Sequence, residues 1–348
     1  MALLLLARGA DACARGVTGQ TPLHVASVHG RAEVASALLS CGAVDVNARD
    51  RYGVTPLHDA ARYGHADIAA ALLSHGADVA AADAEGATPL HYARCDGDAA
   101  VATLLLDHGA DVNAKRRGGS TCLHSSAASG GEDGVRLLLA RGADVDARNA
   151  YGETPLHSAA AVSRAAAVAL LCARGAEVDA RDEGGATPLH CAAGRNAHAC
   201  AASTATLLRY GADVDAACGN GATPLMVAAW RAHRFGDASH EVMFQLLWRG
   251  ADATRAAGED AAQPLLRAWL RGELRCWRQA AHATFPPPFR ADVAAVLLAT
   301  RGSLQGGAPN PLRVLQQHLV LEALFQALLL AHMGGPPAPP QAGGGAGQ

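Results

Sequence analysis

Apolar residues in this chain come in short helical clusters separated by glycine and polar punctuation. Behind Thr55-Pro56, residues Leu57, Ala60 and Ala61 fall three and four apart, the spacing of one helix face. Gly64 interrupts, and Ile68, Leu72 and Leu73 resume helical spacing until Gly76. The chain then turns polar through Asp78, Asp83 and Gly86 before the next Thr88-Pro89. This pattern predicts a short helix, a tight loop, a second helix and a projecting turn. Thr before Pro places a capping hydroxyl next to a residue whose φ is preset for the first helical turn. Small alanines let the paired helices approach closely. Gly64 and Gly76 are expected to end them, Gly76 in a left-handed conformation that glycine adopts without steric cost.

The same alternation returns along most of the chain. The threonine of each copy falls at Thr21, Thr55, Thr88, Thr121, Thr154, Thr187 and Thr223, with gaps of 34, 33, 33, 33, 33 and 36. A second ruler, the glycine of Gly-Ala-Asp or a near variant, falls at Gly9, Gly42, Gly76, Gly109, Gly142, Gly175, Gly211 and Gly250. The two keep step over seven units. One such unit cannot bury its apolar face alone, so neighbours must stack.

Residues 50–82 carry Asp50, Gly53, Thr55-Pro56-Leu57-His58, Ala60-Ala61, Gly64-His65, Leu72-Leu73 and Gly76-Ala77-Asp78-Val79. This resembles the ankyrin repeat almost letter for letter, and the likeness covers residues 1–255 well and 256–305 weakly. The resemblance implies an all-α solenoid of stacked helix-turn-helix units with β-turn fingers. It also gives His24, His58, His91, His124, His157 and His190 a structural role, as hydrogen-bonders between adjacent turns. As metal ligands they would lie one repeat apart, far beyond a zinc coordination radius. No metal and no cofactor are expected.

Composition narrows the partners. Half of the residues are apolar but only 4% are aromatic, and the formal net charge is −3. No global field recruits nucleic acid or an anionic membrane. Nine cysteines, an odd number without a Cys-x-x-Cys, read as free thiols in a reducing compartment. Leu3 to Leu6 is too short for a signal-peptide core, and Leu319 to Ala331 is broken by Glu322 and Gln326 and too short to span a bilayer. An intracellular protein, cytoplasmic or nuclear, is expected. Lys115 is the only lysine, against 28 arginines, which reads as coding bias or, alternatively, as avoidance of ubiquitin attachment sites. No phosphate loop, His-Glu-x-x-His helix or Gly-x-Ser-x-Gly elbow occurs. The sequence therefore offers no catalytic site and no small-molecule substrate.

Departures from the period set the expected boundaries. Residues 1–16 read as a partial first unit with its second helix only, either a short lid or a truncated product, and residues 17–255 as the array. Cys122 replaces the usual proline, about three residues are added around Gly194–Ser203, and about six around His233–Ser239. Residues 256–305 read as a degenerate last repeat with a long insertion that includes Phe285-Pro286-Pro287-Pro288-Phe289. Residues 306–333 read as a linker and C-terminal helix, and 334–348 as a disordered Gly/Pro-rich tail. Pro311-Leu312 followed by Leu319-Val320 loosely resembles a SOCS box, which would make the chain a substrate receptor of a cullin-type ubiquitin ligase. Gln316 stands where that box has cysteine, however, and no Leu-Pro-x-Pro follows.

The first reading is a non-enzymatic scaffold or adaptor for protein partners. Ankyrin arrays bind with a concave surface of turn tips and first-helix side chains. Here the resemblance places on it Arg49, Arg51, Tyr52 and Glu85, then Lys115, Arg116, Arg117, Arg148 and Tyr151 from the tips. The first helices contribute Asp59, Arg62, Tyr63, Tyr92 and Arg94, with Ser125 and Ser158. The cationic stripe suggests an acidic peptide or loop as the partner. Arg116 is distinctive, because it stands where the repeat usually has Asp. Leu104 and Leu138 are expected in the core, and Asn47 and Asn113 are expected to stabilise their turns.

Overall fold

The computed structural model describes residues 8, 10–93, 99–129, 131–194, 200–235, 242–243, 245–246 and 249–251. The expectations for Arg94, the first helix before residue 8, the last repeat, the C-terminal helix and the tail lie outside these residues. So does most of each of the two array insertions.

Helices form in pairs, as the periodicity requires. The pairs are α1 (Pro22–Val28) with α2 (Ala32–Ser40), α3 (Pro56–Tyr63) with α4 (Ala66–Ser74), and α5 (Pro89–Tyr92) with α6 (Ala100–Asp107). They continue with α7 (Cys122–Ser129) and α8 (Glu132–Ala140), α9 (Pro155–Ala161) and α10 (Ala165–Ala173), and α11 (Pro188–Gly194) and α12 (Cys200–Arg209). Helix α13 (Pro224–Phe235) runs to 12 residues, so the expected insertion near His233 begins by lengthening a helix. No strand occurs among the described residues. First helices pack on first helices and second on second, the arrangement of a solenoid.

One layer of leucines threads the stack. Leu23, Leu57, Leu90, Leu123, Leu156, Leu189 and Leu225, one from each first helix, are at most 1% exposed. Leu38, Leu72, Leu105, Leu138 and Leu171 answer them from the second helices and are fully buried. The chain thus uses Leu105 where Leu104 was expected; Leu104 is only half-buried. Alanines such as Ala60, Ala127 and Ala159 fill the helix contacts with no exposed surface.

Each Thr-Pro start is closed by the histidine three residues on. The Thr55 amide donates to His58 Nδ1 at 3.2 Å, and the Thr55 hydroxyl accepts from the third helical amide, a reciprocal cap. Because Nδ1 accepts, the ring proton sits on Nε2, which donates to Ala87 O at 2.9 Å in the next unit. The same two bonds recur at His24, His91, His124, His157 and His190. Burial pushes all six rings below the ordinary histidine range, against the partial opposition of the carbonyl they bond. Gly64 ends α3 at φ 75° as expected, whereas Ser163 takes φ 61° at the equivalent place after α9.

A candidate partner-binding face

Between helix pairs the chain projects a series of fingers, at Arg15–Gly19, Arg49–Gly53, Ala82–Gly86, Lys115–Gly119, Arg148–Gly152, Arg181–Gly185 and Ala217–Gly221. Backbone bonds link them in sequence: Arg51 N to Thr18 O, Ala84 N to Tyr52 O, Arg117 N to Glu85 O, Ala150 N to Gly118 O, Glu183 N to Tyr151 O and Gly219 N to Gly184 O. Most tips are also closed internally by a short acceptor side chain. Asp50 Oδ1 accepts from the amides of Tyr52 and Val54, Asp83 Oδ1 from Glu85 and Ala87, and Asn149 Oδ1 from Tyr151 and Glu153. Arg116 has no acceptor to offer there; instead Gly118 and Gly119 both take positive φ, at 83° and 75°.

Two side chains per unit staple one finger to the next. Arg15, Arg49, Lys115, Arg148 and Arg181 donate to the carbonyls of Arg49, Ala82, Arg148, Arg181 and Ala217, at 2.5–3.2 Å. A few residues earlier, Asn47 Nδ2 donates to Gly76 O and Asn47 Oδ1 accepts from the Asp78 amide. Asn113 repeats this with Gly142 and Asp144, while Asp146 and Asp179 accept from the Glu177 and Asp213 amides. Asn47 and Asn113 therefore bind the next unit rather than their own turn.

These bonds divide the candidate residues. Arg49, Lys115 and Arg148 have their cationic heads on the neighbouring finger's backbone, and Arg148 also lies 3.9 Å from Glu177. Arg117 pairs with Glu85 at 3.8 Å, both exposed, so solvent screens the pair and little stability follows. Arg116 is exposed. Arg51 lies over the Tyr52 ring, its carbon 4.6 Å from the centroid, and donates to the Tyr52 hydroxyl. Arg62 lies 4.5 Å over the half-buried Tyr92 ring. Tyr52, Tyr63 and Tyr151 expose 54%, 47% and 68% of their surface. Ser125 and Ser158 are half-buried.

Asp59 departs from expectation. It occupies the first-helix position shared by Val25, Tyr92, Ser125 and Ser158, yet is only 5% exposed, and Oδ2 has no hydrogen-bond partner. Burial, with the nearby Asp50 charge, pushes its carboxyl up to about 7, against the pull of Arg62. Beside it the Tyr92 hydroxyl donates to Asp83 Oδ2 at 2.6 Å. Burial pushes the Asp83 carboxyl upward, but that bond and two backbone amides outweigh it and hold it below the ordinary range. Burial and the same bond raise the Tyr92 phenol to about 12.

Two residues on this face escaped the sequence reading. Val25 is 48% exposed and Trp230 55%. Trp230 stands seven residues after Thr223, as Arg62 does after Thr55. Counting from the threonine would have found it. Among the described residues, no group of three or more His, Cys, Asp or Glu side chains is placed to hold a metal ion. None of the helices described is long and apolar enough to cross a membrane.

The family model described as "Ankyrin repeats (3 copies)" matches residues 1–83, 53–116, 79–149, 117–182 and 174–257. No curated protein matches the chain. Among solved structures, the human ASB11 ankyrin repeat domain superposes with a TM-score of 0.58 at 31% identity, over 66% of this chain and 98% of that one.

Proposed function

Since this chain belongs to the ankyrin-repeat family, whose repeats mediate protein–protein interaction, we propose that it is a non-enzymatic scaffold that grips an acidic peptide or loop of a protein partner. The reading rests on the two arginine–tyrosine pairs, Arg51 on Tyr52 and Arg62 on Tyr92, standing on the finger and the helix of one face. A guanidinium held over a ring is already ordered, so docking a carboxylate costs little further side-chain entropy. Tyr and Arg are also the residues that most often anchor interfaces. The exposed Arg116, Arg117, Tyr63 and Tyr151 extend the same surface.

Asp59 holds its proton near neutrality and Asp83 is engaged by Tyr92.

Capture of partners by the full chain, followed by sequencing of the protected partner segments, tests this. Segments rich in Asp and Glu are expected, and the double substitution Arg51→Glu with Arg116→Glu should lower their recovery at least tenfold while the melting temperature stays within a few degrees. Protected segments without acidic bias, or recovery indifferent to the charge reversals, would refute it.

A further inference from the structure

Both staples fail at one junction. Position 80 holds alanine where its counterparts include Asn47, Asn113, Asp146 and Asp179, and position 82 holds alanine where five of its counterparts are Arg15, Arg49, Lys115, Arg148 and Arg181, the seventh finger sharing the alanine at Ala217. Ala80 cannot bond Gly109 O or the Asp111 amide as Asn47 bonds Gly76 and Asp78. Ala82 cannot reach the Lys115 carbonyl as Arg49 reaches that of Ala82.

The surrounding geometry loosens at the same place. The histidine bridge from His91 to Ser120 O is 3.3 Å, the longest of the six, against 2.9–3.1 Å elsewhere. A β-carbon built on Gly86 would stand 3.4 Å from the Arg117 nitrogen. At Gly19, Gly53, Gly119, Gly152 and Gly185 the matching distance is 2.8–3.2 Å, so the Gly86 α-carbon stands slightly further from the next finger, although the backbone bond beside it, Arg117 N to Glu85 O at 2.6 Å, is the shortest of the six. Helices α6 and α8 also touch least of any neighbouring second-helix pair, although both are regular and eight or nine residues long.

Besides the leucine layer and the His91 bridge, contacts across the junction lie at its rim. The Arg117 amide donates to Glu85 O at 2.6 Å, and the Glu85–Arg117 pair closes over it. On the far side the partly exposed Arg141–Asp107 pair, at 2.8 Å, bridges the second-helix ends.

We propose that the array is jointed between its third and fourth units: the fingertip contact of Glu85 with Arg117 acts as the pin, and the helices α5 and α6 swing against α7 and α8. Each of the other finger junctions among the described residues carries at least the side-chain donor to the next finger's backbone. The joint passes between Tyr92 and Arg116, so its opening changes the separation of side chains on the two halves of the finger-side face.

Hydrogen exchange on the full chain reads this directly. Amides in residues 99–112 and 120–129 exchange faster than those in the equivalent residues 165–178 and 187–193. The double substitution Ala80→Asn with Ala82→Arg installs the missing staples and slows that exchange roughly tenfold or more, two to four hydrogen bonds being added. The converse pair, Asn113→Ala with Lys115→Ala, creates a second fast region around residues 132–161. Uniform exchange across all junctions of the wild-type chain would overturn the proposal, as would a stapled variant that exchanges like the wild type.

Discussion

Asp59 is the residue most at odds with its surroundings. A carboxyl raised from 3.8 to about 7 by burial favours the folded state only when protonated. The folded chain therefore holds one more proton than the unfolded chain between those values, and stability falls as pH rises through that window. The rise corresponds to roughly 4 kcal/mol as an upper limit. Asp59→Asn removes the titration. Its melting temperature should exceed wild type by several degrees at pH 8, and the gain should shrink by more than half at pH 5. A gain of equal size at both pH values would mean that the carboxyl is not the source. The repeat register correctly puts residue 59 on the finger-side row. It does not carry the burial, which depends on how Tyr92 and Arg62 lie in the folded stack. The roles of Arg49, Lys115 and Arg148 were hidden for a similar reason: their acceptors lie 33 residues away, on backbone atoms to which a sequence gives no label.

At the scale of the helices, the alternation of apolar and polar positions told most of the story. The Thr-Pro starts, the glycine stops and the pairing of short helices are all legible, because capping and left-handed turns restrict residue type locally. Phase within a run of leucines is not. Residues 104–106 are Leu-Leu-Leu, and only packing against α4 and α5 decides which one enters the core. Leu105→Ala and Leu138→Ala should each cost roughly 2–5 kcal/mol through the cavity they leave. Leu104→Ala should cost distinctly less, since that side chain stays half-buried. Urea denaturation of the three variants orders them, and equal losses at 104 and 105 would contradict the placement. Ser163 is a second example, as the pattern asks for glycine there and the helix end holds a serine at positive φ regardless.

For the array as a whole, six imidazoles join consecutive units, five buried and His91 half-buried; burial favours the neutral ring in each, and an amide donates to its Nδ1. The folded values lie below 6.5, so the unfolded chain takes up protons first as the medium is acidified. The histidines' contribution to stability is complete above about pH 6.5 and is lost below it, with up to six protons contributing. Thermal melts of the Asp59→Asn chain, in which the opposite trend is removed, should decline between pH 7.5 and pH 5. A flat profile would mean that the rings are not held as described. The period that builds this array could be counted from the sequence alone. The uneven strength of its junctions could not, because each depends on what stands 29 to 33 residues away.

The finger staple from Lys115 has a practical consequence. Its ε-amino group is the only lysine side-chain amine in the chain and donates to Arg148 O at 3.2 Å. Acylating reagents, acetyl donors and amine-coupled dyes therefore find a single side-chain address. Neutralising that nitrogen replaces the ammonium that braces the fifth finger, so one covalent label both marks and weakens a known seam.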